Sequence, residues 1–289
     1  MSTVLITGAS SGFGYLTALH LARRGDRVFA TMRNPAGTPE LTSTANAENL
    51  PLSVHQLDVR DTASVEHAVA EITPLAGTID VLVNNAGMSI QGPIETLADD
   101  ELHDQLDTNV AGVVRMVRAV APLMRAQNAG TIINISSMAG LIGIPFEGAY
   151  AASKHAVEAI SEALRFELAP FGVQVLLVEP GAYDTAFTGN ARQARGLTTD
   201  HAYRPAYDHF WQATDTALHA DGRGDPADVV DAICSAIDTP DGPFRRLVGA
   251  DAELVYGLKQ QLPFDEFERT IRATLGLDQP DSAAPASAR

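Results

Sequence analysis

The sequence predicts an α/β fold with one doubly wound, mostly parallel sheet of seven strands and helices on both faces. Short apolar runs alternate with longer stretches of helical periodicity, and four such alternations are complete by residue 125. Alternation of this kind is typical of parallel β-α units. In addition, the first apolar run leads directly into a glycine-rich turn and a helix. The predicted strands are 4–6, 27–31, 54–57, 80–83, 131–135, 173–178 and 245–248.

Composition restricts the classes of function. The chain has 289 residues, of which 45% are hydrophobic, so it can bury a large core, and we expect one catalytic domain over residues 1–277. A net charge of −16 argues against nucleic acid or an anionic membrane as a partner. The single cysteine excludes an internal disulfide. Because no histidine falls in a metal-ligand spacing, we predict no metal site.

Targeting signals and membrane-spanning segments bear on where the protein works. Neither a secretory signal nor an apolar window of transmembrane length is recognisable. We therefore expect a cytoplasmic protein. The stretch 278–289 is polar and rich in proline, and this composition predicts a disordered tail.

The glycine-rich turn at residues 7–14 reads T-G-A-S-S-G-F-G. Gly8 permits the sharp turn, Gly12 lets the backbone approach a pyrophosphate, and Gly14 allows close helix packing. The helix that follows supplies free N–H groups and a positive dipole end. Because the spacing is G-x-x-x-G-x-G rather than the common G-x-G-x-x-G, an ordinary tight turn stays an alternative.

The second predicted strand ends at a position that distinguishes between two cofactors. Folds that bind NAD usually place an acid there for the ribose 2′-hydroxyl. This chain has Met32 at that position and Arg33 beside it. Because a guanidinium suits a 2′-phosphate, the sequence favours NADP(H), with NAD(H) as an alternative. A solvated loop charge is the other interpretation of Arg33.

Further candidate residues follow the third and fourth predicted strands. Asp58 is placed to accept a hydrogen bond from an adenine amine, or to cap the next helix. Ala86 and Gly87 suit a place where a flat ring lies close to the backbone. Asn109 falls inside a predicted helix over 99–124, where asparagine is unfavourable, so it has either a functional role or a solvated position. The clusters at strand ends all fall at the carboxyl edge of the sheet, where open α/β sheets bind ligands.

Tyr150 and Lys154 open a helix-periodic run. Residues four apart on a helix share a face, so the phenol and the ammonium would lie side by side. A neighbouring positive charge favours the phenolate and makes the phenol usable for proton transfer near neutral pH. A plain surface pair is the alternative.

The segment 186–224 mixes aromatic residues with polar residues and glycine, and we predict a substrate lid with helical pieces. A surface helix pair with an aromatic core face is the alternative. The aromatic residues are Phe187, Tyr203, Tyr207, Phe210 and Trp211.

Together these motifs resemble the short-chain dehydrogenase/reductase family, roughly from residue 4 to 250. The family's order and spacing are matched by residues 7–14, D-V at 58–59, N-N-A-G at 84–87, Asn109, Ser137, Y-x-x-x-K at 150–154 and P-G at 180–181. Within the family, the chain most resembles the 17β-hydroxysteroid dehydrogenase type 1-like branch. The segments A-T-M-R at 30–33, L-D-V-R-D at 57–61, G-P-I-E at 92–95 and G-L-I-G-I-P-F at 140–146 carry that likeness.

The resemblance implies a single-domain Rossmann fold and a set of four catalytic residues. Tyr150 would be the acid-base group, and Lys154 would lower its pKa and hold the nicotinamide ribose. Ser137 would hydrogen-bond the substrate oxygen, and Asn109 would position a water that links Lys154 to solvent. The implied cofactor contacts are Gly8, Ser10, Ser11, Gly12, Phe13, Gly14, Arg33, Asp58, Val59, Asn85, Ala86, Gly87, Tyr150, Lys154, Pro180, Gly181, Tyr183 and Thr185.

Two residues depart from the family's pattern. Tyr183 stands where a small aliphatic residue is common, and Asp184 adds a negative charge near the expected pyrophosphate. We expect the backbone contact of residue 183 to survive the larger side chain. The cofactor contacts beside Asp184 are the ones that this charge puts in question.

The activity implied by the resemblance is hydride exchange between NADP(H) and a hydrophobic ketone or secondary alcohol, in a homodimer or homotetramer. Two other functions stay open. One is an NADP(H)-binding regulator without turnover. The other is a non-redox or double-bond-reducing member of the same family.

Overall fold

One parallel sheet organises the chain, as the sequence predicts. The structure is a computed structural model that describes residues 1–220 and 222–277, so the predicted tail at 278–289 lies outside the described residues. The strands are β1 (Thr3–Ile6), β2 (Arg27–Met32), β3 (Leu52–Gln56), β4 (Val81–Asn84), β5 (Ile90–Gln91), β6 (Gly130–Ile135), β7 (Val173–Pro180), β8 (Arg192–Gln193) and β9 (Arg245–Val248).

Helices connect the strands and lie on both sides of the sheet. They are α1 (Gly12–Arg23), α2 (Glu40–Ala47), α3 (Thr62–Ala76), α4 (Asp99–Leu106), α5 (Gly112–Gln127), α6 (Gly148–Leu168), α7 (Ala186–Gly189), α8 (Arg204–Leu218), α9 (Pro226–Asp238), α10 (Ala250–Gln261) and α11 (Phe264–Thr274). None of the described helices combines the length and the apolar character that a membrane span requires.

The strand order confirms the doubly wound fold. The main sheet runs β3-β2-β1-β4-β6-β7-β9, and all its neighbouring strands pair in parallel. The chain moves outwards from β1 to β2 and β3, and then returns to place β4 on the other side of β1. This reversal between β1 and β4 creates a crevice at the carboxyl ends of the strands, where ligands bind in such folds.

The core consists of two apolar layers, one on each face of the sheet. Successive side chains of a strand point to opposite faces, and the residues of β1 divide in this way. Val4 and Ile6 pack with α1 and α9, whereas Leu5 packs with α3 and α5. The helices therefore cover both faces and leave the carboxyl edge of the sheet for the site.

Several element boundaries differ from the predictions. The helix predicted as continuous over 99–124 is divided by a π-helical turn, Asp107–Ala111, between α4 and α5. Helix α2 has no counterpart among the predicted elements, since its sequence E-L-T-S-T-A-N-A has few apolar positions. Strands β5 and β8 form a separate two-stranded sheet, and strands of two residues are too short to show periodicity. Helix α6 begins at Gly148, ahead of Tyr150.

Two helical glycines provide a matched test of this packing. A Cβ atom at Gly14 would lie 2.5 Å from the carbonyl oxygen of Gly8, whereas a Cβ at Gly257 would meet nothing within 4 Å. We expect Gly14→Ala to lower the free energy of unfolding by about 1–3 kcal/mol through overpacking. Gly257→Ala should raise it by about 0.5–1 kcal/mol, because alanine loses less backbone entropy in a helix. Urea denaturation measures both changes, and shifts of the same sign would contradict the packing described here.

Candidate functional site

One large cavity lies at the carboxyl edge of the sheet. It has a volume of about 860 Å³ and is lined by segments that follow all seven strands of the main sheet, together with α8 and α11. Every residue that the sequence assigned to the site lines it, except Gly14 and Asn109. Both exceptions contact lining residues: Gly14 packs closely against Gly8 and Asn85, and Asn109 hydrogen-bonds Met88.

The glycine-rich turn is fixed against the end of β4. Gly8 has a φ of +69°, and a Cβ there would lie 2.7 Å from the Cα of Ala86. The amide of Asn85 donates hydrogen bonds to the carbonyl oxygens of Thr7 and Gly8, each at 3.0 Å. The side chain of Asn85 therefore holds the turn, and this role was not predicted from the sequence.

The start of α1 fits the pyrophosphate of a dinucleotide. Ser11 is the N-cap residue, and its side chain makes no capping hydrogen bond. Gly12 has a φ of +57°, and Ser11, Gly12 and Phe13 all line the cavity. The first N–H groups of the helix are thus left for an anion, which the helix dipole also favours.

The ends of β2 and β3 provide the next part of the wall. Met32 is only 2% exposed, whereas the neighbouring Arg33 is exposed and lines the cavity. Asp58 accepts a hydrogen bond from the backbone N–H of Arg60 at 3.0 Å. The cap of α3 is Asp61, which accepts from the N–H of Ala63, so the capping alternative for Asp58 is wrong.

Asn109 lies in the π-helical turn and is buried. Its Oδ1 accepts from the N–H of Met88 at 2.9 Å, and its Nδ2 donates to the carbonyl oxygen of Met88 at 2.9 Å. Nδ2 also donates to Oγ of Ser153 on α6 at 3.0 Å. The alternative of a solvated position is therefore wrong. Asn109 ties the segment after β4 to the helix that carries Tyr150.

Tyr150, Lys154 and Ser137 meet in the wall of the cavity. Tyr150 is 8% exposed and Lys154 is 6% exposed. The ammonium of Lys154 donates to the carbonyl oxygen of Ile135 at 2.7 Å and lies 5.7 Å from the centre of the Tyr150 ring. The hydroxyl of Ser137 donates to the carbonyl oxygen of Pro180 at 3.3 Å. The alternative of a plain surface pair is wrong.

The pKa of Tyr150 differs in direction from the sequence expectation. Burial raises this pKa above its ordinary value, and the carboxyl of Glu147 raises it further, whereas the hydroxyl of Ser137 lowers it. Lys154 holds its ammonium 5.7 Å from the centre of the phenol ring. Its own pKa is lowered by burial to about 8, against the opposing influence of Glu158. The expected lowering by Lys154 is thus outweighed, because burial penalises the phenolate.

A buried carboxyl pair lies behind Lys154. Burial and the nearby Glu158 raise the pKa of Glu179 to about 8. Nε of Arg245 lies 3.0 Å from a carboxylate oxygen of Glu158 and 3.2 Å from one of Glu179. Two carboxyl groups this close cannot both ionise easily, so one of them holds a proton. The remaining negative charge helps to keep Lys154 in its ammonium form.

The segment after β7 closes the cofactor side of the cavity. The ring of Tyr183 is buried and packs edge-on against Phe13, with the ring centres 5.6 Å apart. Thr185 caps α7 by accepting from the N–H of Phe187. Asp184 is exposed and lies 3.6 Å from a guanidinium nitrogen of Arg223. Its charge is therefore partly balanced by that guanidinium.

Aromatic residues from 186–224 line the opposite side. Phe187 lies 5.9 Å from the ring centre of Tyr150. The rings of Tyr207 and Phe210 pack against that of Phe146, with ring centres 5.5 and 5.4 Å apart. Tyr207, Phe210 and Trp211 all line the cavity. Tyr203 is 40% exposed and does not line the cavity. Four of the five aromatic residues thus line the cavity.

Glu147 is a site residue that the sequence predictions missed. It immediately precedes α6 and lines the cavity. Its Oε1 accepts from Nε2 of Gln91 at 2.9 Å and from Oγ of Ser89 at 3.3 Å. The three-residue separation from Tyr150 was the available signal, since residues three apart share a face at the start of a helix.

Comparison with known proteins agrees with this architecture. Residues 2–196 match the family model described as short chain dehydrogenase. The chain is 39% identical over 274 residues to 3-ketodihydrosphingosine reductase of Bacteroides thetaiotaomicron, covering 93% of this chain and 96% of that protein. It is 36% identical to 17-beta-hydroxysteroid dehydrogenase type 1 of Homo sapiens over 254 residues, covering 84% and 76% of the two chains.

A solved structure extends the likeness to the whole fold. The crystal structure of a short-chain dehydrogenase from Streptomyces avermitilis superposes with a TM-score of 0.80 at 33% identity. The match covers 96% of this chain and all of the other. The strand order, the cavity at the carboxyl edge and the shared sequence motifs lead to the same conclusion. This chain belongs to the short-chain dehydrogenase/reductase family, whose members bind NAD or NADP.

Proposed function

We propose that this protein transfers a hydride between NADP(H) and a hydrophobic ketone or secondary alcohol, with Tyr150 as the acid-base group. One observation carries the proposal. A buried phenol, a hydroxyl and an ammonium group, those of Tyr150, Ser137 and Lys154, lie together in the wall of a cavity whose other end is the glycine-rich turn. The relatives named above, a ketone reductase and a hydroxysteroid dehydrogenase by name, support this reaction class.

The residues of this chain would handle the proton and the substrate oxygen. A bound nicotinamide cofactor would supply or accept the hydride. Because its pKa is raised, Tyr150 holds its proton near neutral pH and is suited to donate it to a carbonyl oxygen. Ser137 would donate a hydrogen bond to the same oxygen as negative charge develops there.

Lys154 would act after the proton has left Tyr150. With a pKa of about 8, the ammonium form prevails at neutral pH, and it would stabilise the phenolate that remains. Asn109 would hold α6, which carries Tyr150 and Lys154, against the segment after β4, because it hydrogen-bonds both that segment and Ser153 on α6. We propose the segment 186–224 as the lid that excludes water from the reacting groups.

NADP(H) is the cofactor that the end of β2 favours. Arg33 is exposed at the rim of the cavity, where the 2′-phosphate of a bound NADP would lie, and Met32 supplies no carboxylate for a ribose hydroxyl. Asp58 and Val59 would hold the adenine from the adjacent strand end. NAD(H) is the second candidate.

We also propose a homodimer or homotetramer in the cytoplasm. Phe166 on α6 is 82% exposed and Val114 on α5 is 41% exposed, so the two long helices present apolar groups suited to a contact between copies. A chain with a single cysteine suits a reducing compartment.

Replacement of the catalytic phenol tests the mechanism. Tyr150→Phe should lower kcat about 10²–10⁴-fold, because proton transfer by a positioned group contributes that much, with the Kd for NADPH nearly unchanged. NADPH oxidation over a panel of aliphatic, aromatic and steroidal ketones measures the first quantity. Tyr203→Phe, which removes the hydroxyl of the exposed tyrosine, is the matched control. Full activity of Tyr150→Phe on a ketone that the wild type reduces would refute the assignment.

Replacement of Arg33 tests cofactor choice. Arg33→Ala should raise the KM for NADPH about tenfold or more, because hydrogen bonds to a charged group contribute about 1.5–3 kcal/mol, and should leave the KM for NADH nearly unchanged. Arg27→Ala, at the opposite end of β2, is the control and should alter neither value. Equal effects of Arg33→Ala on both cofactors would show that Arg33 does not read the 2′-phosphate.

A further inference from the structure

Glu147 places a carboxylate at the substrate side of the cavity, close to the phenol of Tyr150. The two residues are three positions apart at the start of α6, and both line the cavity. The carboxyl of Glu147 also contributes to raising the pKa of Tyr150. The mechanism proposed above gives this carboxylate no task.

Three segments of the chain hold Glu147 in place. Ser89 and Gln91, which follow β4, both donate to its Oε1. Gln91 in turn accepts a hydrogen bond from the hydroxyl of Tyr207 on α8 at 3.1 Å. The carboxylate is thus oriented from α6, from the segment after β4 and from the proposed lid. An acidic group held from three directions is a built feature of the cavity.

The charge of Glu147 is uncompensated within the part of the chain that the structure describes. Over residues 1–220 and 222–277, no Lys, Arg or His forms an ion pair with it, and no group donates a hydrogen bond to its Oε2. Burial accordingly raises the pKa of Glu147. Glu147 is half-buried, and a carboxylate partly withdrawn from water without a cation is destabilised, so this position is suited to a cation that arrives with a ligand.

The surroundings of Glu147 also favour a cation attached to an apolar body. Tyr207, Phe210 and Trp211 line the same cavity, and aromatic faces attract cations. The arginines of this side have carboxylate partners already: Arg192 lies 3.4 Å from Asp104, and Arg223 lies 2.8 Å from Asp215. Lys154 donates to the backbone of Ile135.

We propose that the preferred substrates are hydrophobic ketones that carry a protonated amine close to the carbonyl group, and that Glu147 receives this ammonium through Oε2. The proposal rests on the ketone reduction proposed above and specifies the class of ketone. The alternative is that the preferred ketones carry a neutral hydroxyl group in place of the amine.

The arrangement would also link recognition to chemistry. Burial and the charge of Glu147 both raise the pKa of Tyr150. An ammonium bound at Glu147 would offset the second of these influences, so the phenol would become a better donor when a cationic substrate is in place. In this reaction NADPH would give one hydride to the carbonyl carbon and Tyr150 would give one proton to the oxygen, while the amine is unchanged. A neutral ketone would lack this effect and the ion pair.

A comparison of matched ketones tests the proposal. Propiophenone, α-hydroxypropiophenone and α-aminopropiophenone differ only in the group beside the carbonyl, and kcat/KM is measured for each with NADPH. We expect the amino ketone to exceed both others about tenfold or more, as hydrogen bonds between charged groups allow. Glu147→Gln, which retains the side-chain shape, should abolish this preference. Glu95→Gln, the same change of charge on an exposed residue, should preserve it.

The outcomes separate this proposal from the proposed function. If the three ketones are reduced equally well, or if Glu147→Gln retains the preference for the amine, the ammonium site is wrong while ketone reduction stands. If the hydroxy ketone matches the amino ketone, the carboxylate does not read charge, and the proposal is again wrong. If no ketone in this set or in the wider panel is reduced, the proposed function itself fails.

A binding measurement keeps the proposal testable without turnover. Trp211 is the single tryptophan of the chain and lines the cavity, so its fluorescence reports occupancy. Phenethylamine should bind about tenfold more tightly than phenethyl alcohol to the wild type, and about equally to Glu147→Gln. Equal affinities in the wild type, or no detectable binding of the amine, would overturn the ammonium site.

Discussion

Burial of ionisable groups around one cavity is the physical constraint on which this structure depends. Tyr150 and Lys154 are buried and Glu147 is half-buried, and withdrawal from water is the largest influence on the pKa of each. It favours the neutral phenol and weakens the ammonium, and it disfavours a lone carboxylate. The chemistry of the site therefore follows from how each group is paired, or left unpaired, inside the protein.

The scaffold holds these groups in place through side-chain amides at strand and helix junctions. Asn85 ties the glycine-rich turn to the end of β4. Asn109 ties the segment after β4 to α6. Gln105 adds two hydrogen bonds to the same segment, accepting from the N–H of Ile90 and donating to the carbonyl oxygen of Met88. Because each amide joins two elements, the glycine-rich turn and the cavity wall around Tyr150 are positioned by the same segment after β4.

The fold was predictable from the sequence to a greater extent than the electrostatics of the site. The length and apolar character of runs such as 131–135 are enough to locate the strands. The run 245–248 likewise matches β9. The π-helical turn around Asn109 has no comparable signal in the sequence. The direction of the pKa of Tyr150 depends on burial and on Glu147, and helical spacing to Lys154 reveals neither. Glu147 itself was overlooked because a single acid before a helix is ordinary in a surface loop.

The most direct test is an NMR titration of the tyrosine ring carbons in the full chain, with Tyr150→Phe used to assign the resonance. The account predicts that Tyr150 keeps its proton throughout the neutral range and titrates only above the ordinary tyrosine pKa of about 10. Titration of Tyr150 near neutral pH would contradict it, because the phenol would then be ionised before any substrate binds.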